Sequence, residues 1–69
     1  MAVQQALDLI GEGPTVQDAV SEALDRAQLT LEGITSFRVQ DIRGVLSDGE
    51  AIYRVEVRVW FTLLDKMHG

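Results

Sequence analysis

The stretch AIYRVEVRVWFTLL, residues 51–64, limits this chain more than any other. Its odd positions Tyr53, Val55, Val57, Val59, Phe61 and Leu63 are apolar, and its even positions Arg54, Glu56, Arg58, Trp60 and Thr62 are polar or amphipathic. Alternation with a period of two describes a strand with one buried face and one chemical face. A helix would scatter Val55, Val57 and Val59 around its cylinder, and alternating β-branched residues favour the pleat. The stretch is well above the roughly five or six residues usual for a strand. It therefore has to pair along its length and have both faces managed, and the chemistry of the chain is expected on the even face.

At 69 residues the chain makes one domain at most, spanning 1–69, and a domain this small buries a low fraction of its surface unless something staples it. There is no cysteine, which removes disulfides and thiolate metal sites. Oligomerisation is the staple that remains. Six basic residues against 11 acidic ones give a net charge of −5 with no basic run, a poor match to nucleic acid or an anionic membrane. Residues 1–10 show no basic leader or small-residue cleavage site, and no apolar run approaches bilayer length. The expectation is a soluble, cytoplasmic protein.

Residues 2–10 are ambiguous by pattern. Val3, Ala6, Leu7 and Ile10 fit a helical stripe, whereas Val3, Gln5, Leu7 and Leu9 fit one face of a strand. Gly11-Glu12-Gly13-Pro14 is expected to break that element and begin a turn. Thr15 then reads as an N-cap, with Asp18 where a capping-box acid sits. Val16, Ala19, Val20, Ala23, Leu24, Ala27 and Leu31 form a helical stripe, Glu22 and Arg26 are spaced for an i, i+4 pair, and Gly33 ends the helix near Glu32. Three alanines in the stripe predict a close approach to the neighbouring layer, and Leu29, off the stripe, is a candidate for a contact between subunits. Residues 35–46 read as a second strand with Phe37 and Val39 inward, and with a bulge near Gln40 to Ile42 that repairs a slip in parity. Ser47-Asp48-Gly49-Glu50 turns it back antiparallel onto residues 51–64. One helix covers one face of that hairpin, so the other face, with Ser36, Arg38, Gln40, Arg54, Glu56, Arg58 and Trp60, is predicted to meet other subunits or a ligand.

The segments DRAQLTLEGI (25–34), SFRVQDIRG (36–44) and YRVEVRVWFTL (53–63), with LIGEGPT before them, resemble the dodecin family over nearly the whole chain. The resemblance implies an α+β fold of order β-α-β-β, with a three-stranded antiparallel sheet packed on one helix, and it assigns residues 2–10 to a strand. It further implies a hollow homo-oligomer, a dodecamer, that binds flavins such as FMN, riboflavin or FAD in stacked pairs between subunits and stores or sequesters them without turnover. The chain departs from the family pattern on the open face. Ser36 stands where flavin-binding members carry a stacking tryptophan, followed by the phenylalanine kept here as Phe37. Arg54 stands where a glutamine is typical, Arg38 where an acid is usual and Trp60 where a glycine is usual. Serine has no π surface, and ring stacking is worth roughly 1 to 3 kcal/mol per contact by analogy with nucleic-acid bases. Arginine donates but cannot accept.

The cofactor-binding candidates are accordingly Ser36, Phe37, Arg38, Gln40, Arg54 and Trp60. Two readings of this face stand side by side: a remodelled ligand pocket at a subunit interface, or an interfacial salt-bridge network in which Glu56 lies between Arg54 and Arg58. Trp60 is either a relocated stacking platform or an anchor in a subunit contact. Asp41, Asp48 and Glu50 carry calcium-type oxygens but match no ordered loop, so no metal site is assigned. His68, near the end of the sequence, is given little weight, and Arg43 is a candidate for a forked phosphate contact. Glu22 and Asp25 lie on the wet face of the helix with no apolar pocket to raise a pKa, and no cysteine or folded histidine offers a nucleophile or base. An enzyme is not expected.

Overall fold

In the computed structural model, residues 2–64 are described, with side chains described over 4–62. Val3, Leu63 and His68 therefore lie outside the described side chains. The order is β1 (Ala2–Gly13), α1 (Val16–Thr30), β2 (Ile34–Ser47) and β3 (Glu50–Leu64). The three strands form one antiparallel sheet in the order β1-β3-β2, with the long alternating strand in the middle. The alternation works as its pattern predicts: Val55, Val57 and Val59 are fully buried and Phe61 is buried. They meet Ala19, Ala23 and Ala27, which are also fully buried.

Residues 2–10 are strand, as the family resemblance implies, but the strand does not break at Gly11. It runs through Gly11 and Gly13, which pair with Val55 and Tyr53 on the helix side of the sheet. A Cβ at Gly11 would collide with the Ala19 carbonyl oxygen and stand 2.9 Å from the Ala23 nitrogen. These glycines serve the close approach of the helix, matching the alanines that face them, and the turn is left to Pro14 and Thr15. The Thr15 hydroxyl accepts from the Asp18 backbone N–H at 3.0 Å, so the N-cap is formed. At the other end the helix stops at Thr30, short of the expected Glu32; Leu31 is already extended, and Gly33 takes the left-handed φ of +72° in the link to β2.

The expected Glu22–Arg26 pair gives way to contacts with β1. Glu22 accepts from the Glu12 backbone N–H at 2.6 Å, and Arg26 donates to the Ile10 carbonyl. Two backbone groups of an edge strand are thereby satisfied from the helix, which also blunts that edge against foreign strands.

The hairpin turn is Asp48-Gly49, both residues with positive φ, 53° and 80°; this is the backbone that suits the right-handed twist of the strands and that an Asp-Gly pair readily adopts. A 15-residue helix is about 22 Å long and a 15-residue strand about 50 Å, so the helix leaves much of the hairpin bare. It sits over β1 and β3 and barely touches β2. Phe37, expected inward, does face the helix side, opposite Val59, but is 49% exposed because no helix reaches it. Val39, opposite Val57, is half-buried. Beyond the end of β1, Val45, Leu46 and Ile52 form an exposed apolar tip, while Leu29 on the helix is 83% exposed.

Candidate functional site

Residues directly opposite one another in adjacent strands share a face, and the register therefore lays out the open face row by row. From one end, the rows read Ala6–Trp60–Ser36, Asp8–Arg58–Arg38, Ile10–Glu56–Asp41 and Glu12–Arg54–Arg43, in the order β1, β3, β2. Two shifts in the β2–β3 register make this alignment, one between Ile34 and Ser36 and one between Val39 and Asp41. The second is the bulge expected from the parity slip, and it leaves Gln40 without a partner position. The first sets Thr35 aside so that Ser36 opposes Trp60. The Thr35 hydroxyl in turn donates to the Trp60 carbonyl at 3.3 Å and accepts from Gln4 of β1 at 3.3 Å, tying all three strands together beside the indole.

The arginines of β3 do not turn to Glu56. Arg58 forks onto Asp8 with bonds of 2.8 and 3.1 Å, and Arg54 reaches Glu12 at 2.6 to 2.7 Å. Hydrogen bonding from Arg58, assisted by its charge against a desolvation cost, holds the Asp8 carboxyl below its ordinary value; Asp8 in turn raises Arg58. Arg43 is 3.5 Å from Asp41 on its own strand. The ion pairs described on this face lie within the chain, on β1 carboxylates for Arg54 and Arg58 and on Asp41 for Arg43, and none of them uses Glu56, the acid expected at the centre of a network between subunits. The sequence carries a signal for the β1 pairs: Asp8 and Glu12 are four positions apart, as are Arg54 and Arg58, which is the match an antiparallel pair requires. Reading it needs β1 as a strand, which the pattern of residues 2–10 alone does not decide.

Arg38 is different. Its guanidinium carbon lies 5.6 Å from the centre of the Trp60 ring, and among the described residues no carboxylate pairs with it. Trp60 is half-buried, with Ala6 and Ser36 at either side. Small neighbours in both flanking strands leave the indole room on the sheet surface.

Of the six candidate binding residues, the fold brings Ser36, Arg38 and Trp60 together. Arg54 lies six residues along β3 from Trp60, about 20 Å at strand spacing, and Phe37 is on the opposite face. Gln40 sits in the bulge. Near it Ile10, Asp41, Arg43, Arg54, Val55 and Glu56 border an open cleft. Among the described residues no cluster of three or more His, Cys, Asp or Glu side chains is placed to hold a metal, and no helix is long and apolar enough to cross a membrane.

A family model for dodecins matches residues 3–64. Among solved structures, a tryptophan-to-phenylalanine variant of the T. thermophilus dodecin is 30% identical over 94% of this chain and 100% of that one, with a TM-score of 0.87. The dodecin of Streptomyces davaonensis is 32% identical over 93% of this chain and 97% of that one, at 0.85. The calcium-chelating dodecin of Mycobacterium tuberculosis, described with a calcium-binding site, is 28% identical over 97% of each chain, at 0.79. No curated protein sequence matches the chain.

Proposed function

This chain belongs to the dodecin family, and we propose that it forms a homo-oligomeric shell, a dodecamer as in the family, that binds and sequesters a flavin or a related planar ligand. Binding rather than turnover is its work, and the cytoplasm is its setting. The observation that carries the reading is Trp60, a half-buried indole on the open sheet face, with Arg38, which has no carboxylate partner among the described residues, lying over it. The bare side of β2 and the apolar hairpin tip, with Phe37, Ile42 and Leu46 exposed, support assembly, because such side chains are more stable against a neighbour than in water.

A second reading is a flavin-free assembly whose open face serves subunit contacts. It draws on the Asp8–Arg58 and Glu12–Arg54 pairs, which occupy two of the four arginines there, and on Ser36, which has no ring. Titration with riboflavin, followed by quenching of flavin emission on protein whose mass is checked by light scattering, separates the two. Saturable quenching in a large assembly is expected; a large assembly without quenching would leave the second reading standing.

A further inference from the structure

We infer that the Trp60 end of the open face is a site for a planar aromatic anion, in which the ligand ring takes Arg38's place on the indole and Arg38 swings to the ring edge to hold the negative charge. The inference rests on the reading of this face as a ligand surface and specifies the ligand's chemistry.

Three observations converge on it. The first is charge. Arg54, Arg58 and Arg43 each have a carboxylate partner, whereas Arg38 has none among the described residues. The row Asp8–Arg58–Arg38 therefore carries one uncompensated positive charge, in a chain whose net charge is −5. Arg38 also stands directly opposite Arg58, and like charges so placed are unfavourable unless a counter-charge is added. An anion at Arg38 supplies it.

The second is the platform. Trp60 is flanked by Ala6 and Ser36, so a flat ring meets no bulky side chain in its row. Indole is the best stacking surface among the side chains, and the Ser36 hydroxyl offers a donor at its edge.

The third is the present occupant. A guanidinium 5.6 Å from the centre of a half-buried ring is held weakly, and among the described residues no carboxylate meets its five donors. A carboxylate or phosphate would accept from that fork in a charge-assisted, two-bond contact, so exchanging indole for anion is favourable for Arg38 while a ring stacks in its place. The neutral ring alone would have to displace Arg38 without that return.

Equilibrium dialysis with two pairs of probes, each differing in one anionic group, tests this: 2-naphthoate against 2-naphthalenemethanol, and flavin mononucleotide against riboflavin. The anionic member of each pair is expected to bind about tenfold more tightly, and the preference should shrink as salt is raised. Arg38→Ala should abolish the preference while keeping the neutral ring bound. Trp60→Leu should weaken both members, with Trp60→Phe intermediate. Naphthoate preference with no flavin binding would uphold the anion site while removing the flavin reading. Tight flavin binding that neither Arg38→Ala nor Trp60→Leu alters would do the reverse, and no binding of any probe to the intact assembly would overturn the site.

Discussion

The two faces of β3 carry opposite kinds of side chain and do opposite work. Under the helix, Val55, Val57 and Val59 meet Ala19, Ala23 and Ala27, and every one of them is fully buried. On the other side lie Arg54, Glu56, Arg58 and Trp60, and among the described residues no second layer packs on them. The first face is closed by small residues that let backbones approach; on the second, Arg43, Arg54 and Arg58 are held in ion pairs while Arg38 lies over the indole. With the open face read as the proposed binding surface, a single central strand serves stability on one side and recognition on the other, and substitutions on it should sort by parity.

The largest effect is expected on the covered side. Gly11→Val would drive a branched side chain into the Ala19 carbonyl and should cost about 3 kcal/mol or abolish folding, read from denaturation midpoints at fixed protein concentration. Val57→Ala keeps the fold but opens space between helix and sheet, at about 2 kcal/mol. If either change proved neutral, the two faces would not differ as described.

On the open side the expected effects fall on binding. Because Ser36 directly opposes Trp60, Ser36→Trp alone would set two indoles in one row. Ser36→Trp with Trp60→Gly returns one ring to β2 and leaves it room, and riboflavin affinity should rise by about tenfold or more, since a stacked ring contributes roughly 1 to 3 kcal/mol. An assembled variant with no gain would remove the stacking argument. Arg54→Gln breaks a half-exposed pair with Glu12 and should change stability by about 0.5 kcal/mol or less.

The smallest effect is a pH dependence. Asp8 titrates below its ordinary value of 3.8 because Arg58 hydrogen-bonds its charged form. Its folded value is thus lower than its unfolded one, so the pair's contribution is present above 3.8 and is lost as the pH falls through the lowered folded value. Asp8→Asn should flatten the acid limb of the stability profile and leave the neutral region nearly unchanged, as urea midpoints across the acid range would show.

Much of the fold was legible because it rests on local chemistry. The β3 alternation, the Thr15 cap, the alanine stripe, the Asp48-Gly49 turn and the bulge beside Gln40 each follow from a few neighbouring residues. What escaped depends on contacts between distant segments. Gly11 and Gly13 look like breakers in one dimension, and only the helix packed on them shows why they lie within a strand. The parity of β2 puts Phe37 on the helix side of the sheet, yet its exposure depends on where the helix ends. For the candidate site, parity put Ser36, Arg38 and Trp60 on one face, but the ion pairs to Asp8 and Glu12 needed the β1 register. Arg38 became distinct only once its three neighbours were seen to be paired.

Trp60 is the sole tryptophan, so its emission reports the open face directly. The most direct test is collisional quenching of that emission in the assembled protein by iodide and by caesium. An accessible indole beside Arg38, whose charge meets no carboxylate among the described residues, should be quenched more strongly by the anion than by the cation, with Arg38→Ala removing the difference. An indole that neither ion reaches, or that caesium quenches better, would contradict the account.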